Sequence, residues 1–62
     1  SMGRPVQASL ILEGRELKLG VKRPYKKDKI TYILILPKDL SELWERNLGR
    51  QADLILEKIQ LN

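Results

Sequence analysis

Residues 30–36, Ile-Thr-Tyr-Ile-Leu-Ile-Leu, constrain this chain more than any other stretch. β-branched and aromatic residues dominate, and Pro37 ends the run, so it reads as a strand. Ile30, Tyr32, Leu34 and Leu36 fall on one face; Thr31, Ile33 and Ile35 fall on the other. Both faces are largely apolar, which suits a strand only when it is central in a covered sheet or enclosed at an oligomer interface. Tyr32 in such a core needs a partner for its hydroxyl. Covering two faces takes material, and a chain of 62 residues has little. A domain of this size buries only about 60% of the surface its unfolded form exposes. Small domains make up the shortfall with disulfides, metals or partners. With no Cys and no His in the sequence, disulfides, thiolate metal sites and imidazole ligands or bases are excluded. Two routes remain: a tightly packed monomer, or an oligomer in which two chains share one core. The size argument favours the oligomer.

The flanking segments supply the other elements. Val6 to Leu12 alternates, with Val6, Ala8, Leu10 and Leu12 on one face, and predicts a strand. Glu13 to Glu16 is a turn in which Gly14 takes positive φ. Leu17, Leu19 and Val21 then alternate with Lys18, Gly20 and Lys22. This predicts a second strand, apolar on one face and basic on the other, paired with the first as a hairpin. Gly20 marks a bulge or a close backbone approach. Pro24 stops that strand, and Tyr25 to Lys29 form a polar connection. Pro37 begins a helix, where its missing N–H costs nothing. Asp39 and Glu42 suit the positive end of the helix dipole, and Asp39 to Glu42 also reads as a capping box for a later start. Leu40, Leu43, Trp44 and Leu48 form an apolar stripe, Glu45 and Arg46 face water, and Gly49 closes the helix. Trp44 reads as a core or dimer contact. Ala52 to Leu61 is a last strand, with Ala52, Leu54 and Leu56 on one face and Ile55, Ile59 and Leu61 on the other.

The expected fold is therefore a small α+β domain with a mostly antiparallel sheet, ordered hairpin, strand, short helix, strand, in an intertwined or shared-core dimer. Residues 1–3 read as an expression-tag remnant and 4–62 as a single β-β-β-α-β domain. The first residues carry no apolar core of a signal peptide, and the longest purely apolar run, Ile33 to Leu36, is too short to span a bilayer. The expectation is a cytoplasmic protein with no membrane partner. Charged residues make up 32% of the chain and Cys is absent, a composition that leans toward a thermophile.

The charge is local. Residues 15–29 hold seven basic and two acidic side chains, a net +5, against +4 for the whole chain. A one-signed cluster of this kind favours polyanions, chiefly nucleic acid or an acidic protein surface. The plainer reading is that lysines beside an apolar strand guard it against edge-to-edge pairing. Pro24 and Tyr25 within the cluster add to the functional reading, because a stiff loop with an aromatic suits phosphate and sugar or base contact. The candidate nucleic-acid residues are Lys22, Arg23, Tyr25, Lys26, Lys27 and Lys29.

No catalytic set stands out. Asp39 and Glu42 lie at helix-start positions, Glu13 and Glu16 flank a turn, and Ser and Thr have no His partner. Gly14 and Gly20 are isolated, so there is no glycine-rich phosphate loop. The chain reads as a non-enzyme without cofactor or metal.

Residues 30–59 resemble the core of AbrB/SpoVT/MazE-type swapped-hairpin proteins. The matching residues are Leu36, Pro37, Lys38, Asp39 and Leu40, then Gly49, then Asp53 to Leu56. The Gly-Arg usual in that family ahead of the proline is replaced by Tyr32 and Ile33, and residues 6–23 have no clear counterpart. The resemblance implies strands exchanged between two chains, and DNA contact by basic residues ahead of the proline. Lys26, Lys27 and Lys29 are nearest, with Arg23 beside them. It also implies, for antitoxin members, a toxin as protein partner.

Three functions follow as expectations. The first is a homodimeric duplex-DNA binder, a transcriptional regulator or antitoxin. The second is a protein-interaction module or a small accessory subunit of a larger enzyme, using exposed strand edges. The third is a single-stranded nucleic-acid or RNA binder, which Tyr25, Tyr32 and Trp44 supply poorly with stacking surface.

Overall fold

The computed structural model describes residues 3–59. Within them the order is β1 (Val6–Leu12), β2 (Arg15–Lys22), β3 (Tyr25–Lys26), β4 (Tyr32–Ile33), a 3-10 turn (Lys38–Leu40), α1 (Ser41–Arg46) and β5 (Asp53–Lys58). β1 is the central strand of an antiparallel sheet, with β2 on one side and β5 on the other. β3 and β4 form a separate two-stranded hairpin. The small α+β architecture anticipated from the sequence is present.

The β1–β2 connection is tighter than the expected four-residue turn. Only Glu13 (φ 54) and Gly14 (φ 72) lie outside the strands, both left-handed. Two positive φ values in a two-residue loop are what a twisted hairpin requires, because this turn matches the twist of its strands. Gly20 is a bulge. Ala8 faces Gly20 but Ser9 faces Lys18, leaving Leu19 without an opposite residue, and Gly20 has φ 80. The extra residue inverts the alternation beyond it. Leu17 shares the face of Leu10, whereas Val21 pairs with Gln7 on the other face and is 61% exposed. The single apolar face expected for β2 ends there.

One sheet face carries Val6, Ala8, Leu10 and Leu12, joined by Leu17 from β2 and by Leu54 and Leu56 from β5. Its cover is thin. Ala8 and Leu12 are the buried apolar residues, and among the described residues no large side chain is fully buried. Leu10, Leu12 and Leu54 line an open groove of about 330 Å³ together with Leu34, Leu36 and Trp44. Among the described residues, α1 brings no Cα within 8 Å of a strand of the sheet.

The stretch 30–36 corrects the expectation of a long central strand. Only Tyr32 and Ile33 pair, and they pair with Lys26 and Tyr25. Tyr25 to Lys29, expected as a plain connection, thus contributes a strand. Ile30 is 89% and Ile35 72% exposed. Two physical reasons account for this. Both edges of β1 are already taken by β2 and β5, and closing a short local hairpin costs less chain entropy than reaching a distant strand. Tyr32 is consequently at the surface, with the Lys26 ammonium 5.9 Å from its ring centroid.

Pro37 precedes the 3-10 turn as its N-cap, and α1 starts at Ser41. The capping box is not formed: neither N-cap makes a side-chain hydrogen bond. Instead the Trp44 indole Nε1–H donates to the Pro37 carbonyl at 2.7 Å, tying the entry of the helical segment to its middle and satisfying the indole. Leu43 and Trp44 are half-buried, while Leu48, the end of the expected stripe, is 71% exposed. α1 ends at the C-cap Asn47, and Gly49 (φ 80) completes the turn that follows. β5 is shorter than the strand read from the sequence, and Leu61 lies outside the described residues. Among the described residues no helix is long and apolar enough to cross a membrane.

The accessible surface is 5497 Å², against about 4,100 Å² for a compact monomer of this mass. The Cα radius of gyration is 12.5 Å, against about 10.6 Å for a compact chain of this length.

Candidate nucleic-acid interface

The basic segment is built into an arm. Tyr25 pairs with Ile33 and Lys26 with Tyr32, and the intervening residues form the tip. Asp28 organises that tip. Its Oδ1 accepts the Ile30 amide at 3.0 Å and the Thr31 amide at 2.8 Å, while the Lys27 amide donates to the Thr31 carbonyl at 2.9 Å. An aspartate closing on backbone two and three residues ahead is a local turn device. The Ile30 amide first, then the Thr31 side chain and the Thr31 amide, hold the Asp28 carboxyl below the usual carboxylate range. The one acidic group of the arm is thus committed to its backbone.

The arm stands apart. Among the described residues, β3 and β4 come within 8 Å, Cα to Cα, of each other and of no further element. Its base is pinned where the Gly3 amide donates to the Pro24 carbonyl at 2.7 Å. Gly3 belongs to the segment read as a tag remnant, yet a Cβ at this position would sit 2.9 Å from that same carbonyl oxygen.

Four of the six candidate residues fall on this unit, and Lys22 and Arg23 lead into it. Lys22 is half-buried at the end of β2 and Arg23 is exposed at the base. Tyr25, Lys26, Lys27 and Lys29 are exposed along the ribbon and tip. The structure separates them from Arg15 and Lys18, which shared the basic segment in sequence. Arg15 pairs with Leu12 beside the Glu13–Gly14 turn, at the other end of the sheet. Residues 22–29 keep five cations against Asp28, a net +4. Ile30, expected inside a strand, stands at the tip.

A second polar cluster had no local signal in the sequence. The Glu13 carboxylate accepts Arg46 Nε at 2.7 Å, Arg46 Nη2 at 3.0 Å and Asn47 Nδ2 at 2.8 Å. Asn47 also donates to the Leu43 carbonyl at 2.9 Å and is itself buried. The Arg46 bonds foremost, then the Asn47 bond, draw the Glu13 carboxyl from 4.5 down to about 2. Arg46 faces water as expected, and at the same time clips the helix to the hairpin turn in a two-pronged pair. The partners lie 33 and 34 positions apart, beyond any local pattern.

Among the described residues no three His, Cys, Asp or Glu side chains gather as a metal site would require. The arrangement on the arm is suited to electrostatic attraction and to hydrogen bonding with anionic oxygens. Comparison with protein-family models, with curated proteins and with solved structures finds no match for the chain.

Proposed function

We propose that this chain is a small basic DNA-binding protein that works as a homodimer, as a transcriptional regulator or antitoxin-type binder. Lys22, Arg23, Lys26, Lys27 and Lys29 hold the phosphate backbone, and Tyr25 packs against sugar or base. The observation that carries this reading is the arm: Lys26, Lys27 and Lys29 on a separate two-stranded ribbon, Arg23 at its base and Lys22 at the adjoining end of β2, with the ribbon's single carboxylate engaged by its own tip amides. A ribbon of two strands fits a DNA groove. Phosphate contacts position such a protein, and sequence preference comes from few side chains or from DNA shape. The resemblance of residues 30–59 to AbrB-type proteins adds to the reading. The dimer draws on the surface excess of about 1,400 Å² over a compact monomer, more than the roughly 800 Å² that each partner gives to a standard interface.

The test is duplex affinity against salt. If all five cations meet phosphate, the log–log slope approaches about −4.5 for each chain. Reversing Lys26, Lys27 and Lys29 to Glu weakens binding and reduces the slope by about 2.7. A slope near zero, or no binding at low salt, overturns the proposal. A second reading, an interaction module or accessory subunit, is favoured by the uncovered groove and by β2 and β5 lying at the sheet edges. It takes over if the purified chain is monomeric, ignores DNA and recovers one protein at stoichiometric yield from its host.

A further inference from the structure

We infer that the β3–β4 arm kinks DNA, with Ile30 as an apolar wedge entering between base pairs. The inference rests on the DNA-binding reading and deepens it. Ile30 is 89% exposed, more than any other large apolar residue described. It belongs to no apolar patch of the tip: Lys27, Asp28 and Lys29 precede it and Thr31 follows. The tip is also preorganised around it. The Ile30 amide is itself held by Asp28 Oδ1 at 3.0 Å, and the Lys27–Thr31 bond closes the loop beneath. A side chain presented on a braced tip loses little further freedom on insertion.

Ile is among the residue types that proteins drive between base steps, unstacking them and bending the duplex around more protein surface. Lys27 and Lys29 stand where they meet the phosphates flanking an opened step. The charge pattern argues against the other surfaces an exposed isoleucine suits. A lipid interface takes a broad apolar face, and here one isoleucine stands among ions. A second copy of this chain brings its own lysines to the same tip. The apolar surface suited to a second copy lies on the sheet face of Leu10, Leu54 and Leu56.

The experiment uses the full chain with end-labelled duplexes of about 30 base pairs, intact or with one central mismatch, read by energy transfer. The wild type bends the intact duplex. Ile30→Ala binds it about tenfold more weakly, with the bend lost, and regains most of its affinity on the mismatched duplex, whose step is already loosened. Ile30→Leu keeps both affinity and bend. Wild-type binding that leaves the DNA straight, or an unchanged bend with Ile30→Ala, overturns the wedge while DNA binding stands. No wild-type binding to either duplex at low salt removes the DNA-binding reading and the wedge with it. Two further outcomes also overturn the wedge: Ile30-dependent binding to phosphatidylserine–phosphatidylcholine vesicles, which assigns the tip to a lipid surface, and an altered solution mass of Ile30→Ala, which assigns it to the chain–chain interface.

Discussion

Glu13 shows how one residue joins two distant parts of this chain. Its left-handed φ of 54 is a conformation that a residue with a Cβ enters at some cost. The carboxylate bonds to Arg46 and Asn47 hold it there. Because those bonds depress its titration from 4.5 to about 2, the stabilisation is whole above pH 4.5 and is lost as the pH falls toward 2. Fluorescence of Trp44, the one tryptophan, reports the helical segment through this window. Glu13→Gln is expected to flatten that acid limb, and an acid limb equal to the wild type's would refute the role. Arg46 is 57% exposed, so added salt weakens the same clip. Gly20 makes a separate prediction. A Cβ there meets nothing within 4 Å, so the cost of Gly20→Ala is the backbone alone, roughly 1 kcal/mol. A melt should show a midpoint lower by roughly 4–8 °C; no shift would mean the bulge relaxes without cost.

At the scale of the element, the β3–β4 arm is held by its tip rather than by packing. Asp28→Ala removes the acceptor of the Ile30 and Thr31 amides. Hydrogen exchange at those two amides should accelerate, with the β1–β2 ladder unchanged. Equal exchange in the variant would show that the strand pairs alone hold the tip. The β1–β2 hairpin was legible because its signals lie within a few residues: alternation over Val6–Leu12, a Gly at the turn and a Gly at the bulge. The arm was not. Its two strands are two residues long, too short for periodicity to register, and the aspartate that closes it reads as one more charge in a polar run.

At the scale of the molecule, the isolated chain leaves much of its apolar surface uncovered. Leu54 and Leu56 are each about half exposed beside the groove, and Ile35 is 72% exposed. The proposed dimer covers this face. It predicts a solution mass of twice 7.2 kDa and a melting midpoint that rises with protein concentration. Leu56→Glu places a charge on the shared face and should return the mass to that of one chain. A wild-type mass of one chain across concentrations would remove the dimer.

Features that depend on near neighbours could be read directly from the residues. The strand Val6–Leu12, a last strand read as Ala52 to Leu61 and observed as Asp53–Lys58, an irregularity at Gly20, the proline and glycine that bracket the helical segment, and the concentration of positive charge in residues 15–29 all follow from local stereochemistry and composition. Three further matters were settled by contacts between distant parts of the chain. They showed which strands hold the two edges of β1, and so why residues 30–33 turn outward into an arm while Leu34 and Leu36 line the groove. They inverted β2 beyond Leu19, which placed Val21 on the opposite face. They joined Glu13 to Arg46 and Asn47 across more than thirty residues. Each of these is a competition for a partner far along the chain, and local preference carries no information about which distant partner wins.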